Sequence, residues 1–355
     1  MAREPFLLTR LDSDIPHRSD ISTRLREHLM RLRGHEIDDT VEIWDDTTGA
    51  VSEHDLTRIH RRATAYVERL RTASGTAHLK PDEKARLAEV KDGVRAMTVK
   101  TEARADEIAA GLHAQMPWMA PATEAAWHAL RRCAQRGAPV FQLPPLLLIG
   151  PPGIGKSHWA RALAAALGVP TTLVDAAAEA ASFSVAGMQR GWANAAPGKP
   201  LDTILNHGVL NPLVIVDEVE KAGAVRDTSG TRHNLTEALL ALMEPISAAR
   251  WECPFYRVPF DMSGIGWIMT ANSRRGLPEP LLSRCPPLML PALSLSDLIG
   301  FAEREGAARG LTAPALDAVI EALHQQRDRT PALSLRLVQR MLDRAEQLER
   351  RPVLN

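Results

Sequence analysis

Residues 146–157 read Leu-Leu-Leu-Ile-Gly-Pro-Pro-Gly-Ile-Gly-Lys-Ser, and no other stretch constrains the chain so strongly. Four apolar residues bounded by glycine have the length of a buried parallel strand. Gly150, Gly153 and Gly155 then free the backbone to wrap closely around an anion. From Ser157 onward, Trp159, Ala160, Leu163 and Leu167 recur at helical spacing until Gly168, so the loop amides and a helix N-terminus face the same group. The run Gly150, Pro151, Pro152, Gly153, Ile154, Gly155, Lys156, Ser157 therefore reads as a phosphate-binding loop. In such a loop Lys156 reaches the β- and γ-phosphates and the Ser157 hydroxyl binds magnesium.

Downstream, Thr171 to Val174 is a short strand and Leu213-Val214-Ile215-Val216-Asp217-Glu218 a stronger one. Apolar residues ending in two carboxylates place Asp217 and Glu218 at the C-terminal edge of a parallel sheet, where open α/β sheets bind ligands. Asp217 is expected to hold magnesium through water, and Glu218 to polarise an attacking water. A third strand, Trp267 to Thr270, leads to Asn272, whose amide can orient that water and sense a γ-phosphate. Leu277 to Arg284 suggests a short helix presenting Arg284, which can neutralise charge at a neighbouring subunit's nucleotide if it crosses a boundary. Beyond Pro291 the pattern is helical throughout: Leu295 to Arg309, Thr312 to Gln326, then Ser334 to Arg350 with Ser334 as its capping residue. Arg336 sits in the first turn of that last helix, where a cation opposes the helix dipole and a phosphate partner would explain it.

Residues 1–115 read as mostly helical and carry no catalytic constellation. One helix starts at Asp20 as cap and stops at Gly34. A polar acidic stretch runs from Glu36 to Asp55, and a second helix is marked by Leu56, Ile59, Ala63, Val67 and Leu70. Pro81 suits the first turn of a long helix through Leu87, Val90, Val94 and Met97 that continues toward Ala114. With 355 residues, two or three domains are expected. The 43 basic and 43 acidic residues balance, so no global field favours nucleic acid or an anionic membrane. Cys133, Cys253 and Cys285 are odd in number and lack C-x-x-C spacing, which argues against a disulfide framework and a zinc site. The Met-Ala-Arg-Glu-Pro start has no apolar signal core, and a cytoplasmic protein is expected.

The ordered set of phosphate loop, Asp-Glu strand end, strand-Asn, arginine and helical lid resembles an AAA+ ATPase module. Val258 to Asn272 and Leu277 to Arg284 resemble the sensor strand and arginine-finger segment of the Lon protease ATPase. Arg190-Gly-Trp-Ala-Asn-Ala-Ala-Pro-Gly-Lys199 is similar to its first pore loop, which puts Trp192 and Ala193 where that family grips a translocating polypeptide. An aromatic packed on its own subunit is the plainer alternative for Trp192. The family usually has a bulky aliphatic where this chain has Ala193. With 19 residues after Arg336, the Ser-Lys protease domain is expected to be absent. The polar segment from Lys221 to Leu235 reads as a surface insertion.

The resemblance implies an α/β fold: an AAA+ P-loop core of parallel sheet and flanking helices at 116–291, a helical lid with a second sensor, Arg336, at 292–355, and an N-terminal helical region at 1–115. It implies ATP and Mg2+, a homo-oligomeric ring, hexameric in the family, and a protein substrate to be remodelled, unfolded or translocated, with a separate protease or adaptor as a further partner. Glu218, Asn272 and Arg284 would be its catalytic residues. Two other classes stay open: a nucleic-acid remodelling or loading ATPase, and a nucleotide-gated assembly scaffold.

Overall fold

The computed structural model describes residues 3–350 apart from 12, 13, 35–50, 179, 180, 193, 223, 227–231 and 326–333. Ala193, the acidic stretch from 36 to 50 and the far end of the expected helix to Gln326 lie outside the described residues.

Five strands form one parallel sheet: β1 (Leu146–Ile149), β2 (Thr171–Asp175), β3 (Leu213–Asp217), β4 (Gly266–Ala271) and β5 (Pro287–Met289). Their spatial order is β5-β1-β4-β3-β2. The period of two along each strand divides the apolar residues between two cores. Leu147, Ile149, Val214, Val216, Trp267 and Met269 face one cluster, which also takes in Phe6, Leu87 and Val94 from the N-terminal region. Leu146, Leu148, Leu213, Ile215 and Ile268 face the other, with Trp159 and Leu163 of the helix Lys156–Leu167 and with Leu298, Val338 and Leu342 of the C-terminal helices. Burial on both faces explains why β1 and β3 are unbroken apolar runs. In β2, at the sheet edge, buried residues alternate with exposed ones.

After the sheet come three helices, Leu295–Arg309, Ala313–Gln325 and Leu335–Glu349. The first opens with a capping box between Ser294 and Asp297 and stops at Gly310 in the left-handed conformation. The third has Ser334 as its cap residue, but contrary to the sequence expectation the side chain makes no capping bond. Ser334 instead lies against the phosphate loop: a Cβ on Gly153 would sit 2.7 Å from Ser334 Cβ, and Leu335 N–H donates to the Gly153 carbonyl at 3.0 Å.

The N-terminal region holds helices Arg18–Leu32, Glu53–Ser74, Pro81–Ala88 and Glu102–Gln115. The first is flanked by His17 as cap residue, with Asp20 inside its first turn rather than at its start. The long helix expected from Pro81 onward ends at Ala88, and Val94–Arg95 form a short strand antiparallel to Arg3–Glu4. Residues 89–92 form a turn, and Gly93 then redirects the chain into the strand. Gly93 has φ of 88°, and a Cβ there would lie 2.5 Å from the Glu4 carbonyl oxygen. The polar segment after Lys221 contains an antiparallel ribbon, Ala224–Arg226 with Arg232–Asn234. No helix among the described residues is long and apolar enough to cross a membrane.

Candidate functional site

The strand order decides where the chemistry sits. β4 lies between β1 and β3, so Asn272, just past the end of β4, stands between the phosphate loop that follows β1 and the acidic pair that ends β3. Lys156, Ser157, Asp217, Glu218, Asn272 and Arg336 all line one cleft of about 290 Å3, and Pro152, Gly153 and Gly155 line it beside them. This is the carboxyl edge of the sheet, the place such sheets bind ligands.

The loop leaves β1 with Gly150 N–H donating to the Ala271 carbonyl at 3.2 Å. Gly153 and Gly155 have φ of 79° and 94°, values that side-chain-bearing residues rarely adopt, and Gly155 delivers the chain into the helix that begins at Lys156. Lys156 is buried. Its Nζ donates to the Gly150 and Pro151 carbonyls at 2.7 and 3.0 Å and to Asn272 Oδ1 at 3.0 Å. Burial pulls its pKa below the ordinary lysine value, against the opposing pull of Asp217, Glu220 and Glu218. Arg336, at the N-terminus of the last helix, adds positive charge at the same cleft.

Asp217 Oδ1 accepts from Ser157 Oγ at 3.0 Å and also from Thr270 Oγ1. A hydroxyl and a carboxylate side by side at a phosphate loop are hard oxygen donors, which fits magnesium brought in with a nucleotide. Glu218 has φ of 55°, a left-handed conformation costly for a side-chain-bearing residue, so the chain turns sharply between the two acids. Its carboxylate is held on both sides, by Lys221 Nζ at 2.7 Å and by Asn272 Nδ2 at 3.2 Å. The hydrogen bond from Lys221 is the main reason its pKa lies below the usual glutamate value. The Asn272 backbone N–H donates to Glu220 Oε1 at 3.0 Å, which fixes the amide opposite the acid.

Arg284 is elsewhere. It closes the helix Glu279–Arg284, does not line the cleft, and makes a half-exposed ion pair with Glu244 at 3.5 Å. Trp192 does not line the cleft either. It is 38% exposed, with its ring centroid 5.7 Å from that of Phe183.

Four contributors escaped the sequence reading. Thr270 lies two residues before Asn272 on the same strand face, a spacing that could have been noticed. Lys221 follows Glu218 by three residues, and Glu220 lies between them. Trp118 was the least visible: its indole Nε1 donates to the Ile154 carbonyl at 2.8 Å, and its ring meets Phe301 of the C-terminal helices edge-on at 6.4 Å.

Residues 146–290 match the model of the ATPase family associated with various cellular activities (AAA). That stretch has the sequence of an AAA ATPase module. Lon protease 2 of Sorangium cellulosum is 28% identical over 190 residues, 50% of this chain and 23% of the relative. Lon protease homolog 2, peroxisomal, of Arabidopsis thaliana is 30% identical over 161 residues, 45% of this chain and 18% of the relative. Lon protease of Nitrosococcus oceani is 33% identical over 156 residues, 44% of this chain and 20% of the relative. The matched part of the chain thus spans about a fifth of the length of these curated relatives, and the likeness is to their AAA region.

The hold of Lys221 on Glu218 in this AAA module gives a prediction. A lowered pKa keeps the Glu218 carboxylate ionised further into acid, so a base at this position stays competent until pH falls through that lowered value. Lys221→Met should move the acid limb of the pH dependence of ATP hydrolysis toward higher pH. Initial rates measured across the acid range test this, and an unmoved limb rejects the assignment of that limb to Glu218.

Proposed function

We propose that this chain binds and hydrolyses ATP with Mg2+ in a ring of its own copies and uses the energy to remodel, unfold or translocate a polypeptide. Bound ATP would supply the phosphoryl group that passes to water, with ADP leaving, and bound Mg2+ would neutralise charge on it. Lys156, Arg336 and the loop amides bind the phosphates, and Ser157 and Asp217 hold the metal. Glu218 takes the proton of the attacking water while Asn272 orients it. Arg284 serves the neighbouring subunit's cleft. Residues 116–291 are the nucleotide core, 292–355 the lid and 1–115 a platform for substrate or partner. The cytoplasm is the proposed setting.

The observation that carries this reading is the bond between Asn272 and Glu218 inside the cleft that also holds Lys156 and Ser157. A site built only to hold nucleotide has no need of a carboxylate oriented by an amide. Exposed Trp192, which does not line the cleft, supports a polypeptide as the object of the work.

The decisive experiment is steady-state ATP hydrolysis by the purified protein with and without unfolded casein, with duplex DNA as a control. Casein should raise turnover several-fold, in the manner of a binding event that favours one state of the ring, and Trp192→Ala should abolish the stimulation while leaving basal turnover. Stimulation by DNA alone, or the same stimulation by casein in the variant, rejects the polypeptide reading.

A further inference from the structure

Arg190 precedes Trp192 by two residues and opens the segment Arg190 to Lys199. The structure encloses it. Its Nη2 meets Glu83 Oε2 at 2.5 Å, its Nε donates to the Phe255 carbonyl at 3.2 Å, and its guanidinium lies over the Phe255 ring, 5.1 Å from the centroid. The Arg190 backbone N–H donates to the Pro254 carbonyl at 3.3 Å. Two of the guanidinium nitrogens and its face are thus engaged, a set of contacts that lysine cannot reproduce.

The partner carboxylate comes from a distant part of the chain. Glu83 belongs to the helix Pro81–Ala88, is 8% exposed, and also accepts from the Lys80 backbone N–H at 2.8 Å. A buried carboxylate left without its cation is costly, so the pair holds both elements in place. One turn later the same helix is tied down again. Arg86 Nη2 donates to Asp202 at 2.7 Å and to Asn206 at 2.5 Å. None of these groups lines the nucleotide cleft.

We propose that Glu83 is a positioning residue for Trp192: through Arg190 it fixes the foot of the segment that presents the indole, and so sets the affinity for a polypeptide without taking part in ATP chemistry. The functional half of this proposal rests on the reading of Trp192 given above. It also gives residues 81–88 a task, the placement of a substrate-facing side chain more than a hundred positions further along the chain.

Full-length Glu83→Gln and Arg190→Lys are compared with the wild type and with Trp192→Ala. Two things are measured: appearance of the tryptic fragment that begins at Gly191, and ATP turnover as a function of unfolded casein. Glu83→Gln keeps the size and the acceptor for Lys80, and Arg190→Lys serves if the first variant does not fold. The expected result is nicking at position 190 about tenfold faster and a half-maximal casein concentration about tenfold higher, the scale of one lost charge-assisted anchor, with basal turnover unchanged. Adding Trp192→Ala to Glu83→Gln should then cost nothing more than Trp192→Ala alone. Unchanged nicking overturns the proposal whatever casein does, and a parallel fall in basal turnover overturns it in favour of a general structural role. Casein stimulation intact in Trp192→Ala overturns the functional half together with the polypeptide reading, and the nicking rate still decides whether Glu83 holds the segment.

Discussion

Glu218→Gln should bind ATP as the wild type does and turn it over about 10²–10⁴-fold more slowly, the usual worth of a general base. Glutamine has nearly the same shape, and its side-chain oxygen can still accept from Asn272 Nδ2, which lies 3.2 Å from the present carboxylate. The groups assigned to the phosphates and metal, Lys156, Ser157, Asp217 and Arg336, are untouched. What is lost is the ability to take a proton and the ionic bond to Lys221. Binding of a fluorescent ATP analogue, measured beside single-turnover phosphate release, separates the two effects. Turnover within a few-fold of wild type, with binding intact, would remove Glu218 from the role of base.

Arg284→Ala should also be nearly inactive, by about 10³–10⁵-fold if the guanidinium stabilises the transferring phosphoryl group. Its position makes a sharper test possible. Arg284 does not line the cleft of its own chain, and its contact with Glu244 is a loose surface pair worth little. If it acts across a head-to-tail interface, two inactive variants should restore each other. Arg284→Ala keeps an intact cleft, and Glu218→Gln keeps an intact arginine. In an equimolar random ring about a quarter of the interfaces then pair a competent cleft with a competent arginine, so activity should return to about a quarter of wild type. No recovery on mixing would mean that Arg284 works in its own subunit or not at all.

The parts of the site that were legible in the sequence are those in which the chemistry is written locally. A phosphate loop needs glycines at fixed offsets from a strand, and an acidic pair at a strand end needs only an apolar run before it. Unbroken apolar runs mark β1 and β3 as parallel strands buried on both faces, but that β4 lies between them is seen only in the structure. Contacts between distant segments were not legible. Trp118 is surrounded by methionine, proline and alanine and reads as core, although its indole holds a loop carbonyl 36 positions away. Glu83 and Arg190 are 107 positions apart, and nothing in either neighbourhood names the other. The long helix expected from Pro81 shows the opposite error, in which spacing outweighed a local signal. Val90, Val94 and Met97 keep the helical period, but Asp92-Gly93 breaks the chain, and pairing of Val94 with Glu4 supplies the hydrogen bonds a helix would have provided.

The contact of Gly153 with Ser334 and Leu335 has a mechanical consequence. The helix Leu335–Glu349 has 15 residues and is therefore about 22 Å long. One end is pinned to the loop that would wrap the phosphates, through Leu335 N–H on the Gly153 carbonyl. The other end carries Glu349, which accepts from the backbone of Thr312 at 3.1 Å and so takes the neighbouring helix with it. Such a rod is a lever with its short arm at the loop: a tilt of about 6° at the pinned end sweeps the far end through about 2 Å. An adjustment of the loop too small to alter its own hydrogen bonds is thereby magnified into a displacement large enough to matter at a packed surface.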